Sequence, residues 1–177
     1  MRCFVVVACL MMAGCGSEVA PATTTEPQES HVAPLPQSKA EPTWNLADAD
    51  AATNGNIAVA IRAYQSEAEK PQAEARIEDA VKRPWDYYGK RVCFPMEVEI
   101  AEDMPPGSEL AQSFGGSVGE IVGTSGDAIL DVFSLGGTGA IAVGDRINAC
   151  GLIVGRTQVP NAMGGEFTHL IMVAQLK

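Results

Sequence analysis

Regular alternation of apolar and polar residues between Lys90 and Glu102 constrains the fold of this chain more than any other feature. The apolar positions are Val92, Phe94, Met96, Val98 and Ile100, and the positions between them are Cys93, Pro95, Glu97 and Glu99. Successive side chains of a β-strand point to opposite faces of a sheet, so the pattern predicts a long strand with one buried face. Because Pro95 has no N–H group, we expect a bulge or an unpaired site there, where the strand bends. Such a bend suits a small barrel.

Four further strands are predicted after this one, separated by glycine-containing turns. They cover residues 118–122, 128–135, 146–154 and 168–176, and longer loops are expected at 101–116 and 155–167. The sequence therefore predicts a mainly β fold, in which a small five-stranded barrel is preceded by one or two short helices.

Two stretches before the strands have apolar residues at helical spacing. The first stripe consists of Ile57, Ile61, Tyr64 and Ala68, and the second of Ala73, Ile77, Val81 and Trp85. Asn54 or Asn56 could cap the first helix, and Pro84 should end the second at Arg83.

The N-terminal residues have the pattern of a secretory signal. Arg2 precedes a short apolar run at 4–12, and two small residues then precede Cys15. The run is too short to cross a bilayer core of roughly 30 Å. A plain secretory signal, in which Cys15 is not modified, is the simplest interpretation of this pattern.

The segment Met12-Ala13-Gly14-Cys15 resembles the lipobox of bacterial lipoproteins. The resemblance implies cleavage before Cys15, lipidation of Cys15, and attachment to a membrane of the cell envelope through that lipid. Gly16 after the cysteine implies the outer membrane, facing the periplasm, in a cell that has two membranes. On this basis residues 1–14 are a signal peptide.

Residues 15–45 are rich in Pro, Thr, Ser and Glu, a composition typical of a disordered tether. A short helical segment at 46–83 and the barrel domain at 84–177 complete the predicted organisation. Removing 14 of the 177 residues leaves 163 and takes away one arginine, so the formal net charge changes from −10 to −11. This acidity argues against nucleic acid as a partner, since such binding relies on Lys and Arg contacts to phosphates.

Two short motifs in the predicted barrel open its first and fourth strands. They are Tyr88-Gly89-Lys90-Arg91-Val92 and Val143-Gly144-Asp145-Arg146-Ile147. Both resemble strand openings in secreted bacterial OB-like modules, including the tRNA-anti-like group. The resemblance implies an OB-like barrel whose first and fourth strands are antiparallel neighbours.

Two cysteines, Cys93 and Cys150, remain if Cys3 and Cys9 leave with the signal and Cys15 is lipidated. Alternation places each of the two on the polar face of its strand. An OB-like arrangement then implies a cross-strand disulfide between them, as secreted proteins permit. Two free thiols are the alternative.

The sequence offers little that points to catalysis or metal binding. His169 is the one histidine of the predicted barrel, and the close ligand spacing of a zinc or calcium site is absent from the sequence. We therefore expect no cofactor and no metal, and interpret His169 as structural. Asp127 and Asp131 could form a carboxylate pair, although acidic chains have many such pairs by chance.

The aromatic residues Trp85, Tyr87 and Tyr88 are the candidate ligand-binding site, where a ligand could stack. The alternative is that they seal the base of the barrel. The sequence thus predicts a lipid-anchored, non-catalytic binding module that engages another envelope protein or envelope component. A carrier or sensor of a small ligand or glycan is the second hypothesis, and a hydrolase is the third.

Overall fold

The computed structural model describes residues 43–66 and 70–176, which contain five strands and three short α-helices. The strands are β1 (Arg91–Asp103), β2 (Val118–Ser125), β3 (Ala128–Leu135), β4 (Arg146–Pro160) and β5 (Glu166–Ala174). The helices are α1 (Asn56–Gln65), α2 (Ile77–Lys82) and α3 (Glu109–Ser113), and a 3₁₀ turn covers Pro84–Tyr87.

The strands close into a barrel in the order β1-β2-β3-β5-β4, with β4 returning to β1. All neighbours are antiparallel except β3 and β5, which run parallel. The prediction of a mainly β fold with a small five-stranded OB-like barrel and preceding short helices is confirmed. A closed barrel has no free sheet edge, so every strand can satisfy its backbone hydrogen bonds.

The barrel wall is covered on both faces along much of β4 and β5. One cluster fills the interior and includes Val92, Ile121, Leu130, Ile153, Leu170 and Met172, and α2 adds Ile77 and Ala80 to it. A second cluster covers the outer face, where α1 and α3 pack on Val118, Leu152, Val154, Ile171 and Val173. Double coverage explains why these two strands contain continuous apolar runs instead of alternation.

The prediction of a bulge at Pro95 is wrong, whereas its alternative, an unpaired site, holds on the β2 side, where pairing begins only at Glu97. Pro95 is the Cα partner of Asn148 in an uninterrupted register between β1 and β4, and the register shift lies between Val98 and Ile100, on the β2 side. The neighbouring Cys93–Cys150 pair has a Cα–Cα distance of 4.0 Å, typical of a non-hydrogen-bonded antiparallel pair. Pro95 lies two residues further along, in the same type of position, so its nitrogen does not face β4 and no ladder hydrogen bond is lost.

Both predicted long loops are shorter than expected. Residues 155–160 extend β4 and pair with the start of β5, and residues 101–103 belong to β1. The rest of the first loop contains α3, whose N-cap Ser108 accepts a hydrogen bond from the Ala111 N–H.

The helical predictions hold in part. Helix α1 begins after Gly55, and the Asn54 side chain accepts the first N–H, that of Asn56. Ala68 lies outside the described residues. The second stripe is not one helix, because Ala73 lies before α2 and Trp85 lies in the 3₁₀ turn after it.

Candidate functional site

Cys93 and Cys150 form the predicted disulfide. They are direct Cα partners on β1 and β4, and both are half-buried on the outer side of the barrel. The bond joins positions 57 residues apart and crosslinks β1 to β4, the pair of strands that closes the barrel. Both sulfurs are thereby removed as nucleophiles or metal ligands.

The lipidation candidate Cys15 and the tether up to residue 42 lie outside the described residues. At the end of the predicted tether, the Trp44 ring stacks on Tyr88 with 5.7 Å between centroids. Asn45 exchanges two hydrogen bonds with the Asn56 side chain. The chain is therefore packed against the barrel from Trp44 onward.

The aromatic candidates Trp85, Tyr87 and Tyr88 occupy different environments. Tyr88 is only 7% exposed, belongs to the interior cluster and donates a hydrogen bond from its hydroxyl to the Asp48 carbonyl at 3.2 Å. Tyr87 is half-buried against the same cluster, whereas Trp85 is 37% exposed. Of the three, Trp85 has the ring that a ligand could reach most easily.

Three carboxylates lie together on the outer face of the barrel. Glu102 on β1 is the direct partner of Glu120 on β2, and Glu120 pairs with Phe133 on β3. Asp131 is two residues before Phe133, so it shares that face and is the diagonal neighbour of Glu120. We call Glu102, Glu120 and Asp131 the carboxylate cluster.

Asp131 is the buried member of the carboxylate cluster. Its side chain is 10% exposed, and its Oδ2 atom lies 4.0 Å from Nδ1 of His169, whose side chain is 12% exposed. This distance is too long for a hydrogen bond. The Asp131 Oδ1 and His169 Nδ1 atoms are buried and have no hydrogen-bond partner among the described residues. Two polar groups therefore face each other with unused hydrogen-bonding capacity.

Burial governs the protonation of this site. Loss of solvent, and after it the charge of the nearby Glu120, raises the pKa of Asp131 to about 7. Burial first, and then Glu102, raises the pKa of Glu120, while burial lowers the pKa of His169. Each shift favours the uncharged form, so the site is short of stabilising opposite charge.

Arginine side chains do not supply that charge. In the part of the chain that the structure describes, arginine ion pairs use Glu78, Asp79, Asp86 and Glu97, and none uses the carboxylate cluster. Nor do the described residues contain a group of three or more His, Cys, Asp or Glu side chains arranged to hold a metal ion. The arrangement can hold a proton, or receive a cationic group from another molecule.

The sequence suggested a carboxylate pair of Asp131 with Asp127, and Asp127 is the wrong neighbour. Asp127 is exposed in the turn before β3, and the carboxyl that acts electrostatically on Asp131 is that of Glu120. Glu120 and Glu102 were missed as site residues. The usable signal was a carboxylate in the middle of a short apolar strand, as in the run Ile129-Leu130-Asp131-Val132.

A groove of about 450 Å³ lies elsewhere on the surface. Its lining includes Ile61, Tyr64, Gln65, Phe114, Gly115 and Gly136. The Tyr64 hydroxyl is buried and has no hydrogen-bond partner within residues 43–66 and 70–176, and burial raises its pKa. The volume lies within the range of small-molecule sites.

Phe133, the one aromatic residue of β2 and β3, is not free to stack on a base. Its ring packs on Phe114 with 5.5 Å between centroids. OB-folds that bind single strands use exposed aromatics in a positively charged groove. The neighbouring cluster is instead acidic.

Comparisons with known proteins add no family to these observations. No family model matches the chain, and neither curated proteins nor solved structures give a significant match. Among the described helices, none is long and apolar enough to span a membrane. Conclusions about function therefore depend on the chain's own residues and geometry.

Proposed function

We propose that this chain is a lipid-anchored cell-envelope lipoprotein that displays its OB-like barrel as a non-catalytic binding module. Cys15 carries the lipid, residues beyond it form the tether, and the partner is another envelope protein or envelope component. The membrane is the outer one, facing the periplasm, in a cell that has two membranes.

The Cys93–Cys150 disulfide is the observation that supports this proposal most directly. Disulfides persist in oxidising compartments and are rare in the cytosol. A disulfide between β1 and β4 therefore agrees with the secretory pattern of residues 1–15. Two independent features, one at the N-terminus and one in the barrel, favour the same compartment.

A binding role is supported by the carboxylate cluster. A buried carboxylate with an unsatisfied oxygen destabilises a folded protein, and such groups concentrate at functional sites. Catalysis is less well supported, because the two cysteines are bonded to each other and Asp131 does not hydrogen bond to His169.

The variant Cys15→Ser tests the lipid anchor. Two or three acyl chains hold a protein stably on a membrane, so their loss should lower the membrane-bound fraction by roughly tenfold or more. We also expect the uncleaved precursor to accumulate. Fractionation of the cells that make the protein, with mass spectrometry of the product, measures both effects.

Cys9→Ser is the matched control, since it makes the same chemical change within the segment that is removed. It should leave cleavage and membrane attachment unchanged. The anchoring proposal fails if the Cys15→Ser protein is shortened normally and stays with the membranes.

A carrier of a small ligand or glycan is the second candidate function. The groove beside α1 supports it, because its volume of about 450 Å³ suits a small ligand and its lining combines the aromatic rings of Tyr64 and Phe114 with the amide of Gln65. This location differs from the aromatic site that the sequence suggested.

Cell-wall muropeptides are the probe for this second function. At a concentration of about 100 times the dissociation constant, a ligand stabilises its protein by roughly 2.7 kcal/mol, which a thermal-shift assay detects. We expect Tyr64→Ala to reduce the shift, because it removes a ring that lines the groove, and Trp85→Ala to preserve it. Loss of the shift in Trp85→Ala alone would move the site to the aromatic residues, and absence of any shift would reject muropeptides as the ligand.

A further inference from the structure

We propose that the carboxylate cluster receives a lysine or arginine side chain of a partner protein. This inference rests on the proposed binding function and names the chemistry of the partner. The occupant is a basic protein segment, which the acidic chain would attract over a distance as well as at the site.

The pairing of β1 with β2 places like charges opposite each other. Glu102 and Glu120 are direct cross-strand partners on the outer face. Like charges in this position destabilise a sheet unless a cation lies between them or beside them. Among the described residues, no arginine ion pair involves Glu102 or Glu120, so the pair has no arginine partner within this part of the chain.

Asp131 adds a polar atom that is buried and unpartnered among the described residues to the pair of Glu102 and Glu120. Its side chain is nine-tenths buried, its Oδ1 atom has no hydrogen-bond partner, and it lies on the face that carries Glu120. Ammonium and guanidinium groups contain donors only, so either one, placed over the accessible part of the carboxyl, would provide the opposite charge that the cluster lacks.

An exposed isoleucine beside the cluster suits a long aliphatic stem. Ile100 is 43% exposed and is the direct partner of the buried Val122, which in turn pairs with Asp131. Lysine and arginine pack their methylene groups on exposed apolar side chains while the charged end reaches polar groups. A bare metal ion would make no use of Ile100.

Protonation should control the interaction. The titratable groups around Asp131 are Glu120 on β2, with Glu102 behind it on β1, and His169 on β5. Acidification neutralises Asp131 and adds positive charge at His169, and both changes oppose a cation. Binding should therefore be tighter above neutral pH than below it.

The test is a fluorescence-anisotropy titration of the full chain, purified in nonionic detergent, with a labelled Arg-Gly repeat peptide as probe. Because each substitution removes one partner of a charged hydrogen bond, Asp131→Asn and Glu120→Gln should each weaken binding by roughly tenfold at about pH 8. Lowering the pH of the wild-type sample to about 6 should weaken it similarly, since Asp131 then takes up a proton.

Glu74→Gln is the matched control, because it removes the same charge at an exposed position outside the cluster. It should change the dissociation constant less than about twofold, as expected of an exposed charge. An equal loss in the control, or no binding of the peptide by the wild type, would overturn the inference. Neither result would affect membrane attachment through Cys15, which is measured separately.

Discussion

Replacing Cys93 and Cys150 together by alanine should lower the free energy of unfolding by about 4 kcal/mol. The bond closes a loop between positions 57 residues apart, and in the chain-entropy model its removal frees the unfolded chain far more than the folded one. For a domain of this size the loss corresponds to a fall in melting temperature of roughly 10–20 °C. Urea and thermal unfolding, followed by circular dichroism, measure the effect.

Reductant provides the control for this comparison. It should destabilise the wild-type protein toward the stability of the double-alanine variant and leave the variant itself unchanged. Equal unfolding midpoints for the oxidised wild type and the variant would show that the disulfide does not contribute to stability.

Replacing Asp131 by asparagine should make the folded protein more stable above neutral pH. Because the pKa of Asp131 is raised from 3.8 to about 7 in the folded state, the unfolded chain releases this proton first as pH rises. Stability is therefore lost between about pH 4 and pH 7, by up to about 4 kcal/mol, since one pKa unit corresponds to about 1.4 kcal/mol. Asparagine has no proton to lose and avoids this loss.

Denaturant unfolding of both proteins across that pH range tests the prediction. The lowered pKa of His169 has the opposite sign, because it removes stability as pH falls below the ordinary histidine value, but it acts in both proteins. Asp127→Asn is the matched control, since Asp127 is exposed, and it should not reproduce the gain. Parallel pH profiles for the wild type and Asp131→Asn would contradict the burial of a protonated carboxyl.

Stabilisation by Asp131→Asn would also sharpen the peptide-binding experiment. A variant that is more stable yet binds the cationic probe less well cannot owe its weaker binding to unfolding. The wild-type carboxylate would then lower the stability of the fold and strengthen binding, as is common where a site is kept for its ligand rather than for the fold.

Much of the barrel could be predicted because its strands differ locally from their turns. Alternation in β1 and short apolar runs between glycines gave the starts of β2, β3 and β4 at the residues where the structure has them. The end of β4 was missed, because Gly155 and the polar residues after it look like a loop. Their pairing with β5 depends on a distant segment.

Gly155 illustrates why such a position cannot be interpreted locally. Its φ of +148° favours glycine, and an added Cβ would lie 2.7 Å from the Ala49 carbonyl oxygen and 2.9 Å from the Asn54 Nδ2 atom. The segment before α1 therefore lies directly against β4, although the two are about 100 residues apart in the sequence. Sequence periodicity contains no information about that contact.

The sequence by itself determined where most of each strand lies, which face the side chains of β1 take as far as Val98, and that Cys93 and Cys150 share a side, because these follow from a period of two along the backbone. The register shift after Val98 breaks that period, so Ile100, predicted on the buried face, is 43% exposed on the outer one.

Only the tertiary structure decided that Glu120, Asp131 and His169 are neighbours. That outcome depends on the order in which the strands associate, and on the parallel pairing of β3 with β5. Burial between those strands, and not the identity of the residue alone, is what leaves the Oδ1 atom of Asp131 without a hydrogen-bond partner among the described residues.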